Sequence, residues 1–245
     1  MADRPGPADR VTPRLHLPAL PPSGVPLTIE GAALRHLRAL RLKAGERLVV
    51  FDGHGGEREF QLTTVGTRRI HAIEVAVTQR GRESPLALVL CPALLKGAKM
   101  DFVVEKATEL GVHRIAPIVT RHGVGRRADV ERWRRLVVAA AMQSGRTRVP
   151  EIDPPAPFAV RVAEPWPQRK ILCWEGEDAT RLRDLPARAD AAVLFVGPEG
   201  GFAAAEVQLA RTHGFTTVCL GQRLLRAETA AIAATALAQH RWGDA

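Results

Sequence analysis

The chain has 245 residues, of which 46% are apolar and 25% charged, the balance of a soluble globular protein with one large or two smaller domains. No apolar run approaches the roughly 18 residues needed to cross a bilayer, and the proline-rich N-terminus lacks the apolar segment of a secretory signal. Cys91, Cys173 and Cys219 are isolated within apolar runs, which predicts buried, reduced thiols and a cytoplasmic protein. The eight histidines show no metal-like spacing, so we predict no metal site.

The net charge of +9 is concentrated in one segment. Residues 114–148 contain nine arginines and only two acidic residues, a local net charge of +7. Arginine side chains bind phosphate oxygens in a bidentate manner and stack on bases, so this segment favours a nucleic-acid partner. The alternative is a solvated helix face, which accounts for most charge runs.

The N-terminal third of the sequence predicts a small β-rich domain. Residues 1–12 are expected to be a disordered tail, residues 13–78 the domain and residues 79–85 a charged hinge. Alternating apolar positions predict strands, and a stripe of leucines (Leu34, Leu37, Leu40) predicts a helix between Glu30 and Leu42. The predicted strands are Leu48–Phe51, Phe60–Val65 and Ile70–Val77.

Residues 86–245 show alternating strand and helix patterns, which predicts a mostly parallel sheet covered by helices on both faces. The predicted strands are Leu86–Leu95, Ile115–Val119, Lys170–Trp174, Ala191–Val196 and Val218–Leu220. The predicted helices are Asp101–Leu110, Arg126–Ser144, Val207–Thr212 and Glu228–His240.

Two glycine-opened junctions follow apolar strands near the C-terminus. They are GPEGGF at Gly197–Phe202 and LGQRLLRAETA at Leu220–Ala230. Ligand crevices form at the carboxyl ends of strands in α/β sheets, and glycine lets a flat ligand approach the backbone. Neither stretch fits a phosphate-binding loop, and glycines after strands are also ordinary turn residues.

Together these two stretches resemble the SPOUT class of S-adenosylmethionine-dependent RNA methyltransferases. Within that class they resemble the RsmE family, which methylates N3 of a uridine in 16S ribosomal RNA. Matching motifs continue in KGAKMDFVVEKATELGV (Lys96–Val112) and MQSGR (Met142–Arg146), so the resemblance covers residues 86–237 in order. Ala203 stands where the family commonly has a capping Ser or Thr, which predicts a weaker helix start there.

The resemblance implies an α/β fold: a SPOUT-type parallel sheet with a C-terminal trefoil knot, preceded by a small PUA-like β-barrel RNA-binding domain. It also implies that three loops of the knot hold S-adenosylmethionine as the cofactor. The cofactor-binding residues it predicts are Leu172, Glu175, Gly197, Pro198, Glu199, Gly200, Leu220, Gly221, Leu225, Arg226 and Ala230. Core packing is the alternative role for Leu220 and Leu225.

Methylation of uracil N3 requires loss of the N3 proton and stabilisation of the resulting negative charge on O2 and O4. Arg226, and after it Arg223, are the catalytic candidates for that stabilisation. Arginine stays protonated and cannot readily act as the base, so Glu228 or Glu199 could take the proton, directly or through water. Each of these side chains also has a structural alternative, because a Glu at this position can serve a helix N-terminus and Arg226 can form an ion pair with Glu228 or Glu199.

The predicted partner is 16S rRNA within the 30S subunit. The predicted RNA-binding residues are Arg14, Lys96, Lys99, Arg121, Arg126, Arg127, Arg132 and Arg146. The alanine-rich last helix predicts a homodimer through close helix approach, although alanine is also simply the best helix former. Two other functions stay open: a SPOUT enzyme acting on another RNA position, and a non-catalytic rRNA-binding assembly factor.

Overall fold

The computed structural model describes residues 12–77, 81–125, 128–166 and 169–245. The chain forms two compact units: the part up to Arg82 with Gly145–Arg148, and Glu83–Ser144 with Val149–Ala245. The predicted disordered tail lies almost entirely outside the described residues. The domain boundaries drawn from the sequence stay predictions.

The first unit contains a five-stranded sheet and one helix. Its elements are β1 (Arg14–His16), β2 (Leu27–Ile29), α1 (Gly31–Ala39), β3 (Arg47–Phe51), β4 (Glu57–Val65) and β5 (Ile70–Val77). The strands lie in the order β1-β3-β4-β5-β2, with β1 parallel to β3 and the other neighbours antiparallel. The predicted bounds of β5 are confirmed, whereas β3 and β4 begin earlier than predicted.

Alternating apolar residues of this sheet form the core of the first unit. Leu48, Phe60 and Ile70 are at most 1% exposed, and α1 adds Leu34 and Leu37 to the same cluster. Leu40, predicted on the same stripe, is 42% exposed, because α1 ends at Ala39. The helix therefore turns its remaining surface to water.

The second unit begins with β6 (Ala87–Pro92), α2 (Ala98–Glu109), β7 (Arg114–Ile115), β8 (Ile118–Val119), α3 (Val130–Ser144), β9 (Glu151–Ile152), β10 (Ala156–Pro157) and α4 (Phe158–Val162). It continues with β11 (Arg169–Cys173), β12 (Ala191–Val196), α5 (Ala204–Thr212), β13 (Thr216–Val218) and α6 (Ala227–Trp242). A short 3-10 turn at Leu182–Asp184 follows β11. The bounds predicted for the strand Ala191–Val196 are confirmed.

Six strands of the second unit form a parallel sheet in the order β13-β11-β12-β6-β7-β9. Side chains of β12 alternate between two cores: Leu194 lies in the cluster with α2, α3 and α6, and Phe195 in the cluster with α4 and α5. The predicted parallel α/β sheet with helices on both faces is confirmed. The trefoil knot stays a prediction.

Several bounds in the second unit differ from the predicted ones: β6 ends at Pro92 rather than Leu95, and β13 is Thr216–Val218 rather than Val218–Leu220. Two further details differ from the sequence pattern. The strand predicted at Ile115–Val119 is divided into β7 and β8 by Ala116 and Pro117, because proline has no N–H to donate to a strand ladder. Helix α4 was not predicted, since its five residues are too few to show a helical period.

Candidate active site at the carboxyl ends of three parallel strands

Strand β11 lies between β12 and β13, so the loops that leave these three strands meet at one edge of the sheet. They enclose a cavity of about 350 Å³, within the size range of small-molecule sites. Its lining residues are Cys173, Trp174, Glu175, Val196, Gly197, Pro198, Glu199, Gly200, Gly201, Cys219, Leu220, Gly221, Gln222, Arg223, Leu224, Leu225, Ala227 and Ala230.

Bare backbone at two glycines shapes this cavity. Gly201 has φ +68°, and a Cβ at that position would lie 1.8 Å from Oε1 of Glu175, so only glycine lets the carboxylate approach the loop. Gly221 has φ +139°, and a Cβ there would enter open space with no heavy atom of a described residue within 4 Å. A ligand can therefore approach the main chain at Gly221.

Nine of the eleven predicted cofactor-binding residues line the cavity. The two others are Leu172, which is fully buried in the core on β11, and Arg226, whose side chain is exposed at the start of α6. Trp174 and Gln222 lie within the predicted cofactor loops but were not selected individually, and Cys219 lies just before the third loop. Their positions in the sequence could have indicated them, because each directly follows a strand or a glycine of the predicted loops.

Lys99 of α2 connects two acidic residues beside the cavity. Its Nζ donates a hydrogen bond to Oε1 of Glu199 at 2.6 Å and lies 3.5 Å from Oε2 of Glu228. The longer contact is an ion pair without a hydrogen bond, and Oε2 of Glu228 is a buried atom that accepts no hydrogen bond within the described part of the chain. Lys99 was predicted to contact RNA, but here it holds two carboxylates.

The two carboxylates are therefore not equivalent. The hydrogen bond from Lys99 lowers the pKa of Glu199 and raises the pKa of Lys99 itself. Glu199 is thus held ionised at neutral pH, with one oxygen already occupied. Glu228 stands in the first turn of α6, where a helix N-terminus stabilises negative charge.

Arg226 and Arg223 are both exposed in the loop before α6, and only Arg223 lines the cavity. The ion pair that sequence reasoning allowed between Arg226 and Glu228 or Glu199 is not found; Lys99 occupies that position. Within the described residues, the Arg226 guanidinium forms no salt bridge with an acidic side chain. Its charge remains available to a bound molecule.

The loop after β8 packs on the GPEGGF loop. Nδ1 of His122 lies 3.1 Å from the carbonyl oxygen of Gly200, and the two oxygens of Glu206 accept the backbone N–H groups of Arg121 and Ala203 at 2.9 Å each. The carboxylate of Glu206 therefore makes the half of a capping box that needs no side chain at Ala203. This fixes the position of Arg121, which was predicted to bind RNA, next to the cavity loop.

Two predicted RNA-binding arginines of the first unit are buried instead. The side chain of Arg14 is only 10% exposed and forms an ion pair with Glu57. Its guanidinium also donates a hydrogen bond to the carbonyl oxygen of Arg146 at 2.8 Å and lies over the ring of Phe51. Arg146 is 2% exposed. Burial in a closed network argues against phosphate contacts for both, and favours a role in holding Gly145–Arg148 within the first unit.

The other predicted RNA contacts have three different surroundings. Lys96 is exposed before α2, and Arg132 is exposed but bonded to Asp101 through Nε at 2.9 Å and Nη2 at 2.8 Å. Arg126 and Arg127 lie outside the described residues. Arg132 would have to leave Asp101 before it could contact a phosphate.

The described residues contain no group of three or more His, Cys, Asp or Glu side chains able to hold a metal ion. None of the helices in the described ranges is long and apolar enough to cross a membrane.

Comparison with known proteins identifies the family. The chain matches the model of the RNA methyltransferase domain over residues 82–239 and that of the RNA methyltransferase PUA domain over residues 29–75. It is 35% identical to the ribosomal RNA small subunit methyltransferase E of Synechocystis sp. over 86% of this chain and 71% of that protein. The chain belongs to the ribosomal RNA small subunit methyltransferase E family.

Further members of the methyltransferase E family match nearly the whole chain. The Mycobacterium bovis member is 31% identical over 93% of this chain and 92% of its own length. The crystal structure of the Neisseria gonorrhoeae member, bound to S-adenosyl methionine, has a TM-score of 0.90 at 34% identity and covers 96% of this chain and 99% of its own. The resemblance drawn from the two glycine junctions and the PUA-like character of the N-terminal domain are confirmed.

Proposed function

We propose that this protein transfers a methyl group from S-adenosylmethionine to N3 of a uridine in 16S rRNA of the small ribosomal subunit. The observation that carries this function is the cavity itself. Loops following β11, β12 and β13, distant in sequence, meet there and contribute nine of the residues that the family resemblance assigned to the cofactor.

The residues of the cavity fit S-adenosylmethionine. Gly221, with open space beside its backbone, and the cavity residues Leu220 and Leu225 would hold the adenine of this cofactor. Glu175 and Glu199 supply negative charge for a ligand that carries a positive sulfonium and an ammonium group. When bound, this cofactor supplies an electrophilic methyl group, and the chain has to orient it and prepare the uracil.

Glu228 is the better candidate for accepting the N3 proton. The 2.6 Å hydrogen bond from Lys99 lowers the pKa of Glu199, which makes Glu199 a weaker proton acceptor. Glu228 keeps Oε2 without a hydrogen bond to any described residue, at 3.5 Å from the same ammonium group. We therefore assign the base to Glu228 and the positioning of the carboxylate pair to Lys99.

Arg226 is the candidate for stabilising negative charge on the uracil oxygens. It occupies the N-cap position of α6, and its exposed guanidinium is not neutralised by Glu199 or Glu228. A preorganised donor aimed at developing charge is the device that such a reaction requires. Arg223, which lines the cavity, is the second candidate for the same role.

The assembled enzyme is proposed to be a cytoplasmic homodimer with a knotted C-terminal segment, acting on the 30S subunit. Among the alanines of α6, Ala231, Ala234 and Ala238 are fully buried within one chain, so only the half-buried Ala230, Ala233 and Ala236 could contribute to a dimer contact. The exposed side chains of Leu237 (42%) and Phe102 (45%) are better candidates for the contact between subunits.

The function is tested by incubating the protein with 30S subunits and isotopically labelled S-adenosylmethionine, followed by mass spectrometry of the digested 16S rRNA. Incorporation at a single uridine, as N3-methyluridine, is expected. Glu228→Gln is the matched variant, since it preserves size and removes the proton acceptor. Label at a ribose hydroxyl or another base would indicate a different RNA position, and binding without transfer would indicate an assembly factor.

A further inference from the structure

The surface of α1 and the turn that follows it is unusually basic. Residues 31–45 contain four formally cationic side chains and one histidine but no acidic residue. All five are exposed, because α1 buries only Leu34 and Leu37 against the sheet. We call this surface the basic α1 face; it consists of Arg35, His36, Arg38, Arg41 and Lys43.

The cations of the basic α1 face are not neutralised within the chain. Within the described residues, none of its arginines or its lysine forms a salt bridge with an acidic side chain. Other exposed cations of the same unit do: Arg47 pairs with Glu59 at 3.0 Å and Arg69 with Glu30 at 3.8 Å. Glu46, the acidic residue that follows the turn, accepts the backbone N–H of Lys43 at 2.8 Å.

Arg41 has an unfavourable backbone conformation. Its φ is +52°, and it is the one non-glycine residue with positive φ in the described ranges. It follows the C-cap of α1, a position where glycine is strongly favoured because it has no Cβ. Such conformations are retained at functional sites when the side chain is needed. The Arg41 side chain is exposed and bonded to no described residue, so its charge is open to a bound partner.

The charged side chains of the basic α1 face indicate which class of partner it binds. A row of arginines and a lysine without interspersed acids matches a polyanion, and the planar guanidinium forks match phosphate oxygens. Insertion into a membrane is disfavoured, because the apolar side chains of α1 are already packed in the core. We propose that the basic α1 face binds the phosphate backbone of ribosomal RNA, with Arg38, Arg41 and Lys43 as principal contacts; the choice of ribosomal RNA rests on the proposed function.

The first test is Arg41→Gly, which separates stability from binding. Glycine relieves the positive φ, so we expect the midpoint of thermal unfolding to rise. Affinity for purified 16S rRNA is expected to fall, with the slope of log K against log salt reduced by about 0.7 to 0.9, the value for one lost phosphate contact. Arg183→Gln in the second unit is the matched control: it removes one exposed charge and should leave the slope unchanged.

The second test combines Arg38→Gln, Arg41→Gln and Lys43→Gln, which should reduce the slope by about 2 to 3. Unchanged slopes in both variants, with the fold intact, would overturn the proposal. So would normal binding of purified 16S rRNA with weakened binding of the 30S particle, which would indicate a ribosomal protein as the partner. Failure of the wild-type protein to methylate 30S subunits, with RNA binding still dependent on Arg41, would overturn the proposed function and leave the basic α1 face supported.

Discussion

The cavity edge of the second unit and the basic α1 face of the first unit treat cationic side chains in opposite ways. At the cavity, Lys99 is held by Glu199 at 2.6 Å and faces Glu228 at 3.5 Å. On α1, Arg38, Arg41 and Lys43 are left in water without acidic partners among the described residues.

This difference separates positioning from recognition. A cation that already has a carboxylate must lose that partner before it can bind a phosphate, so Lys99 is better suited to fixing cavity geometry. A cation without such a partner can bind a polyanion at little cost. Arg226 belongs to the second group although it stands beside the cavity, which supports the proposed contact with the target nucleotide.

The largest expected effect is that of removing the unpaired cation beside the cavity. Arg226→Ala should reduce single-turnover methylation of 30S subunits by about 10²-fold or more, the usual cost of losing one such donor. Calorimetric affinity for S-adenosylmethionine should change little, because the guanidinium does not line the cavity. Lysine should restore part of the rate, since it lacks the planar fork. A parallel loss of cofactor affinity would assign Arg226 a structural role.

Blocking the backbone at Gly221 should abolish cofactor binding. At about a hundred times its Kd, S-adenosylmethionine should stabilise the wild-type protein by roughly 2.7 kcal/mol, and Gly221→Val should lose this gain. Gly214→Val is the matched control: Gly214 also has positive φ (+81°) and open space around its Cβ position, but it follows α5 outside the cavity. Thermal shifts measured with and without cofactor decide the matter, and an unchanged shift in folded Gly221→Val would contradict the site.

Removing Lys99, the paired cation, should change cofactor affinity, whereas removing Arg226 should change the methylation rate and leave cofactor affinity unaltered. In Lys99→Met the pKa of Glu199 should return upward, because the hydrogen bond from Lys99 is the main cause of its lowering. Cofactor affinity should then fall as the pH decreases toward 5, because part of Glu199 becomes protonated, whereas the affinity of the wild type should stay flat there. The salt dependence of RNA affinity should not change. Measurements of cofactor affinity from pH 5 to 8 test this prediction. A weaker salt dependence of RNA affinity in Lys99→Met would instead indicate that Lys99 contacts RNA.

The smallest expected effect concerns the thiols of the cavity. Cys219 is partly exposed and lines the cavity, so bound S-adenosylmethionine should slow its alkylation several-fold. Cys173 is the internal control: burial raises its pKa to about 12, so it should stay unreactive with or without cofactor at pH 8. Mass spectrometry of alkylated peptides distinguishes the two. Equal labelling of Cys219 in both conditions would place the ligand elsewhere.

Much of the fold followed from local sequence pattern. Ala191–Val196 is a short apolar run bounded by a polar stretch and Gly197, and its strand formed with the predicted limits. The alternation of such runs with helical periods predicted the parallel sheet. The candidate site was also predictable, because glycine loops after parallel strands meet at a common edge. The division of Ile115–Val119 at Pro117 had a local signal that the apolar pattern concealed.

Tertiary structure alone decided the roles of the charged side chains. Lys99 and Glu199 are one hundred residues apart, and no period or motif relates them, yet a 2.6 Å bond joins them. Arg14 and Arg41 are both arginines of one basic domain, but packing buries the first against Glu57 and Phe51 and leaves the second in water. Local sequence determines strands and helices because their hydrogen bonds and apolar periods are short-range. The availability of a charge depends on which distant side chains the fold brings within about 4 Å, where opposite charges interact strongly.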